Sequence, residues 1–172
     1  MWLGVVDASG LGSGLQSLGT WTVPATPSTF SLSLSPNSGS GATQTFTVGW
    51  TEPNGYATVN EVYFLVNSAL NASNGCYIRL WPGWGSQMLL ANDTGSAWLG
   101  PVGWSGVGVP PPPISNSQCA LDPAYSGSGS EAFTVAVTFN HSFAGPKSMW
   151  VSANDSTGAT SGFLNLGTWT VP

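Results

Sequence analysis

Hydrophobic residues recur with a period of two along much of the chain. Phe30, Leu32 and Leu34 alternate with serine in TFSLSLS; Phe46, Val48 and Trp50 alternate in TFTVGW; Phe133, Val135, Val137 and Phe139 alternate in AFTVAVTFN. Successive side chains of a strand point to opposite faces, so each run predicts a strand with one buried face. EVYFLVN (61–67), CYIRLW (76–81) and QMLLAN (87–92) are more continuously apolar and predict strands covered on both faces. Clusters of Asn, Ser and Gly such as NSALNASNG (67–75) separate them, and only NSALN offers as much as one helical turn. Short strands punctuated by turns, with no helical stripe, predict an all-β fold, namely an immunoglobulin-like antiparallel β-sandwich.

Laying residues 1–24 on residues 149–172 without a gap brings thirteen identities into register, among them the whole run LGTWTVP at 18–24 and 166–172. Unrelated segments of this composition would share about one or two. The offset sets a domain reading: 25–172 is a complete β-sandwich repeat, and 1–24 is a β-hairpin equivalent to the end of a preceding repeat. The chain therefore reads as part of a longer tandem array. Each copy runs strand, turn rich in Asp, Ser, Thr and Gly, strand, and ends at a proline that cannot donate to a ladder. A lone hairpin is marginal in water, so 1–24 is expected to pack on the following unit, on a neighbouring molecule, or on the rest of a domain absent from this chain.

Charge narrows the partners. Only two residues are Lys or Arg and seven are Asp or Glu, a net charge of −5. Each phosphate contact needs its own cation, so nucleic acid and polybasic membrane binding are excluded. No apolar run approaches the roughly 18 residues of a membrane span. Solubility rests on Ser, Thr, Asn and Gly, which suits an extracellular or cell-surface protein, and MWLGVVDASG lacks the basic start of a signal peptide. Cys76 and Cys119 are even in number and lack any CxxC or Cys/His spacing, so a disulfide is the better reading than zinc or redox work. It would staple the least regular stretch of the chain, including PGWGS and GWSGVGVPPPPIS.

FTVAVTF (133–139), an eight-residue link, SMWVSANDSTGATSG (148–162) and the closing GTWTVP (167–172) together resemble the last three strands of bacterial immunoglobulin-like or fibronectin type III-like surface repeats. The segments Asn116 to Cys119 (NSQC), Ala91 to Pro101 (ANDTGSAWLGP) and Gly167 to Pro172 look like those of long tandem repeats in uncharacterised secreted bacterial proteins. The resemblance covers most of 25–172. It implies a sandwich in an extracellular multidomain protein and brings no catalytic residues.

Candidate chemistry is sparse. His141 is the lone histidine and sits at a strand end, where an exposed histidine is common. Glu52 and Glu61 bracket a turn and Glu131 begins a strand; turn and surface roles are simpler for them than the paired acids of glycoside hydrolysis. Asp7, Asp93 and Asp155 each stand alone in a loop, which fits an Asx-turn better than calcium. GVPPPPI (108–114) predicts an extended, stiff connection. Trp2, Trp21, Trp50, Trp150 and Trp169 fall in predicted strands and read as structural. Trp81, Trp84 and Trp104 fall in the Gly/Pro segments WPGWG and GWSG, where burial is harder to arrange. Exposed rings there would stack on sugar rings, with Ser, Thr and Asn around them suiting an uncharged glycan. The expectation is a non-enzymatic structural or adhesion repeat without cofactor or metal, self-associating through its terminal strands. The alternative is a carbohydrate-binding module that recognises neutral polysaccharide through Trp81, Trp84 and Trp104.

Overall fold

Alternating apolar and polar residues pleat into strands that each give one face to a common core. The structure, a computed structural model, describes residues 2–20, 30–53, 58–82, 87–103, 108–128 and 131–172. Among these residues the strands are β1 (Trp2–Leu3), β2 (Gln16–Ser17), β3 (Ser31–Ser35), β4 (Ser38–Ser40), β5 (Thr43–Thr51), β6 (Val59–Asn67), β7 (Cys76–Trp81), β8 (Gln87–Ala91), β9 (Trp98–Val102), β10 (Ile114–Ser115), β11 (Cys119–Ser128), β12 (Ala132–Phe139), β13 (Gly145–Asp155) and β14 (Leu164–Val171). A short 3₁₀ turn at His141–Phe143 leads into β13. The NSALN segment bends instead of forming a helical turn.

Two sheets pack face to face. One has the order β10-β11-β12-β5-β3 and the other β4-β14-β13-β6-β7-β8-β9. Neighbours within them are antiparallel except β4 with β14, which run parallel. The chain thus begins the sandwich on one sheet as β3 and crosses to the other as β4. Strands β11, β12, β5 and β3 oppose β14, β13 and β6, with β7 and β8 extending the second sheet, which is the strand distribution of a variable-type immunoglobulin sandwich. β1 and β2 form a separate two-stranded ribbon.

The inward positions of the alternating runs meet in a single core. Phe46, Val48 and Trp50 of β5 and Phe133, Val135 and Val137 of β12 face Val62, Phe64 and Val66 of β6 and Met149, Val151 and Ala153 of β13. Phe46 is the hub: its ring meets Phe64 at 5.3 Å, Trp169 at 5.2 Å and Phe139 at 6.4 Å, all edge to face. Such pairs add to stability beyond the area they bury. Trp169 of the repeated GTWTVP motif is buried, and its indole N–H donates to the Gly41 carbonyl at 2.9 Å, so its polar atom is satisfied. A Cβ on Gly39 would lie 2.5 Å from that indole, and a Cβ on Gly167 would overlap the Asn37 carbonyl. Neither glycine therefore has room for a side chain where the segment at Asn37–Ser40 lies against β14.

The disulfide joins Cys76 at the start of β7 to Cys119 at the start of β11, one from each sheet, with Cα atoms 5.7 Å apart. The neighbouring NSQC and AND segments form a clamp around it. Asn116 Oδ1 accepts the Gln118 and Cys119 N–H groups at 2.9 Å, while its Nδ2 donates to the carbonyls of Gly75 and Ala91 at 3.0 Å. Asp93 accepts the Ser117 N–H and hydroxyl, both at 2.8 Å. Motifs far apart in sequence are therefore two halves of one structural device, which also fits an oxidising compartment for the native chain.

Closing a loop of sequence separation 43 contributes about 4 kcal/mol in the chain-entropy treatment. A Cys76→Ala, Cys119→Ala double variant is expected to lose about that much in denaturant unfolding, and the unmodified protein to show no reactive thiol before reduction. Gly167→Ala is expected to cost about 1–3 kcal/mol by overpacking against Asn37, read as a lower urea midpoint at unchanged slope.

Candidate functional site: an aromatic face on the larger sheet

The outward positions of the larger sheet are not polar throughout. Alternation along β6 and β7 turns Glu61, Tyr63 and Leu65, and Tyr77, Arg79 and Trp81, away from the core while Val62, Phe64, Ile78 and Leu80 point in. The register sets Tyr63 opposite Arg79 and Leu65 opposite Tyr77. Trp98 at the start of β9 and Phe163 just before β14 reach the same surface from either side. Tyr77 meets Trp98 at 5.1 Å, Tyr63 at 5.8 Å and Phe163 at 6.1 Å, and Tyr63 lies 6.3 Å from Trp98. The rings are half-buried against one another, with Phe163 at 37% exposure. Beneath them Leu65 and Leu89, although outward, are buried, which explains why these strands read as continuously apolar.

A polar edge runs alongside. The Arg79 guanidinium pairs with Glu61 and lies 4.8 Å from the Trp81 ring and 5.8 Å from the Trp98 ring. Tyr63 donates its hydroxyl to Glu61 as well. Burial holds the Tyr63 and Tyr77 phenols above their ordinary value, with Tyr77 adding to the effect on Tyr63. Burial also pulls the Arg79 value down. At one end of the strip a shallow pocket of about 130 Å³ is lined by Leu65, Leu70, Asn71, Ala72, Tyr77 and Phe163.

Compared with family models, with curated proteins and with solved structures, the chain matches none. The surface must be read from its own chemistry.

Of the three loop tryptophans singled out in the sequence, Trp81 lies on this face. It is the last residue of β7, not a loop residue, and is half-buried with the guanidinium over its ring. Trp84 and Trp104 lie outside the described residues, as does Trp21. Trp50 and Trp169 are buried and Trp150 is half-buried, whereas Trp2 is exposed. Sequence reasoning missed Tyr63, Tyr77, Trp98 and Phe163. The parity of Tyr63, Tyr77, Arg79 and Trp81 within their strands was a usable signal, since each is one step from a core residue.

The carboxylates are engaged in structure. Glu52 is buried and accepts the Thr58 hydroxyl at 2.7 Å, and Glu61 holds Arg79 instead of standing exposed. His141 is exposed. Asp155 Oδ1 accepts the Thr157 and Ala159 N–H groups at 2.8 Å, and Asp7 Oδ1 accepts those of Ser9 and Leu11 at 2.9 Å, the Asx geometry expected for such loops. Among the described residues no three His, Cys, Asp or Glu side chains are grouped as metal ligands would be, and no helix is long and apolar enough to cross a membrane.

Hydrogen bonds from Thr157 hold the Asp155 carboxyl below its ordinary value, and the backbone and side chain of Ser117 do the same for Asp93. A depressed folded value gives stability that is present above the unfolded value of 3.8 and is lost as pH falls through the folded one. The melting temperature is expected to fall on acidification through this window. In Asp155→Asn, which keeps the acceptor Oδ1, the acid limb should be shallower.

Proposed function

We propose that the aromatic face binds neutral polysaccharide. One observation carries the reading: Tyr63, Tyr77, Trp98 and Phe163 form a continuous, partly exposed strip on the outside of a sheet whose inside already holds a complete aromatic core. Rings placed there do nothing for the sandwich interior. A planar apolar strip matches the apolar faces of successive sugar rings. The half-buried Arg79–Glu61 pair and the tyrosine hydroxyls supply donors and acceptors for sugar hydroxyls along one side. Arg79 is neutralised by Glu61, so the strip has no free cation to favour an acidic glycan. A shallow pocket between Leu70 and Phe163 adjoins the strip at one end.

On this reading the chain is a non-catalytic module of an extracellular protein, and Trp81, one of the tryptophans expected to carry binding, shares its face with Trp98 and the tyrosines that the sheet register brings there. The structural or adhesion role is the second reading. It is favoured by the exposed apolar ribbon of β1 and β2, taken up below.

Affinity electrophoresis against a panel of neutral polysaccharides is expected to retard the protein. Tyr77→Ala and Trp98→Ala should each weaken retardation about tenfold or more, as for aromatic anchors in other interfaces, while each variant still unfolds cooperatively, at a melting temperature lowered by the cover lost from Leu65 and Leu89. No retardation and no change in tryptophan fluorescence with any member of the panel would sink the proposal.

A further inference from the structure

The N-terminal ribbon repeats the pairing and hydrogen bonds of the hairpin that ends the sandwich around its turn. Trp2 pairs with Ser17 and Leu3 with Gln16, as Trp150 pairs with Asn165 and Val151 with Leu164. The bridge Val6 to Gly12 has its counterpart in Asn154 to Thr160. The Val5 N–H donates to Ser13 Oγ at 3.0 Å, and the Ala153 N–H to Ser161 Oγ at 2.9 Å. Gly10 and Gly158 turn the chain with φ of +85° and +90°, a conformation glycine adopts without steric cost. The two segments are one local structure written twice.

Their surroundings differ completely. In the C-terminal copy β13 pairs with β6 from Ser148 to Asp155, and Val151 and Ala153 are fully buried. In the N-terminal copy Leu3 is 56% exposed, Val5 64% and Leu11 77%, and among the described residues no strand pairs with β1 other than β2. A two-stranded ribbon is at best marginally stable by itself, and an apolar surface of this kind marks a site of association.

We infer that residues 2–17 are the closing hairpin of a second sandwich of the same kind, docking against that sandwich's counterpart of β6. The occupant follows from the register, since the molecule itself displays what this hairpin packs on when it is covered. Met1, Leu3 and Val5 align with Met149, Val151 and Ala153, the residues that enter the core from β13. The partner is a polypeptide with counterparts of residues 25–148 whose β6 edge is unpaired. A folded copy of the present chain is not that partner, because its own β13 fills the place. The inference is independent of glycan binding.

The test lengthens the existing chain by joining residues 25–148 ahead of Met1, so that the added Ser148 precedes Met1 as Ser148 precedes Met149. The added residues are expected to fold into a second sandwich with its own disulfide. The Leu3 and Val5 amides should exchange hydrogen ~100-fold more slowly or better than in the present chain. With Leu3→Asp and Val5→Asp together, the added sandwich should lose its protection while the melting of 30–171 is unchanged. The inference is overturned if the added residues stay unfolded with free thiols and fast hairpin exchange. It is equally overturned if the double variant leaves the added sandwich as protected as before.

Discussion

Burial of the Trp169 indole against Phe46, with its N–H on the Gly41 carbonyl and Gly39 lying flat beneath it, is the contact through which the last strand of the larger sheet reaches the first. The rest of the architecture hangs on it. β14 can pair in parallel with β4 only because Gly39 and Gly167 carry no side chain at the approach. With β14 in place, β13 is held between it and β6, and the row Met149, Val151 and Ala153 enters the core. Remove the indole and both the parallel pairing and the hairpin that seals the sandwich lose their anchor.

The disulfide at the same end of the sandwich solves a different problem. Nine charged residues in 172 leave little scope for ion pairs, and irregular chain between strands must still satisfy its backbone groups. Asn116 and Asp93 do this by gathering N–H and C=O groups from both sheets beside the Cys76–Cys119 bond. Neutral amides and short acceptors replace the charge networks of ordinary surfaces. The one Arg–Glu pair of the described residues lies on the aromatic face, half-buried among rings. A half-buried pair contributes little net stability once desolvation is counted, so its position on that face is better understood through what the face can hold.

Much of the fold was legible because β-structure advertises itself by parity. The runs at Phe30, Phe46 and Phe133 gave strands with the correct inward residues, and two cysteines without metal spacing gave the disulfide. The hairpin at 149–172 was readable from Asp155, Gly158 and the terminal proline. The aromatic face was not, for two physical reasons. Strand pairing register is a long-range property, and only the pairing of β6 with β7 sets Tyr63 and Tyr77 side by side. Outward Leu65 and Leu89 also mask the alternation, since rings above them bury positions that would otherwise be polar. Trp81 looked like a loop residue because proline follows it, yet Pro82 marks the strand's end, not its interior.

The two surfaces argued from the structure meet at one edge. Phe163, which touches Tyr63 and Tyr77, belongs to the duplicated hairpin, and its counterpart in the N-terminal copy is Leu15. The core-facing and turn residues of the two copies are alike in kind, with Asp, Gly and the Trp of LGTWTVP unchanged. The aromatic that contributes to the outer strip is not kept. A sandwich closed by residues 2–17 would therefore have the same frame and an aliphatic residue where this one has a ring. Closure constrains the inward face and the turn through packing and hydrogen bonds, and leaves the outward edge free to differ. Sandwiches of one frame can in this way carry outer strips of different width.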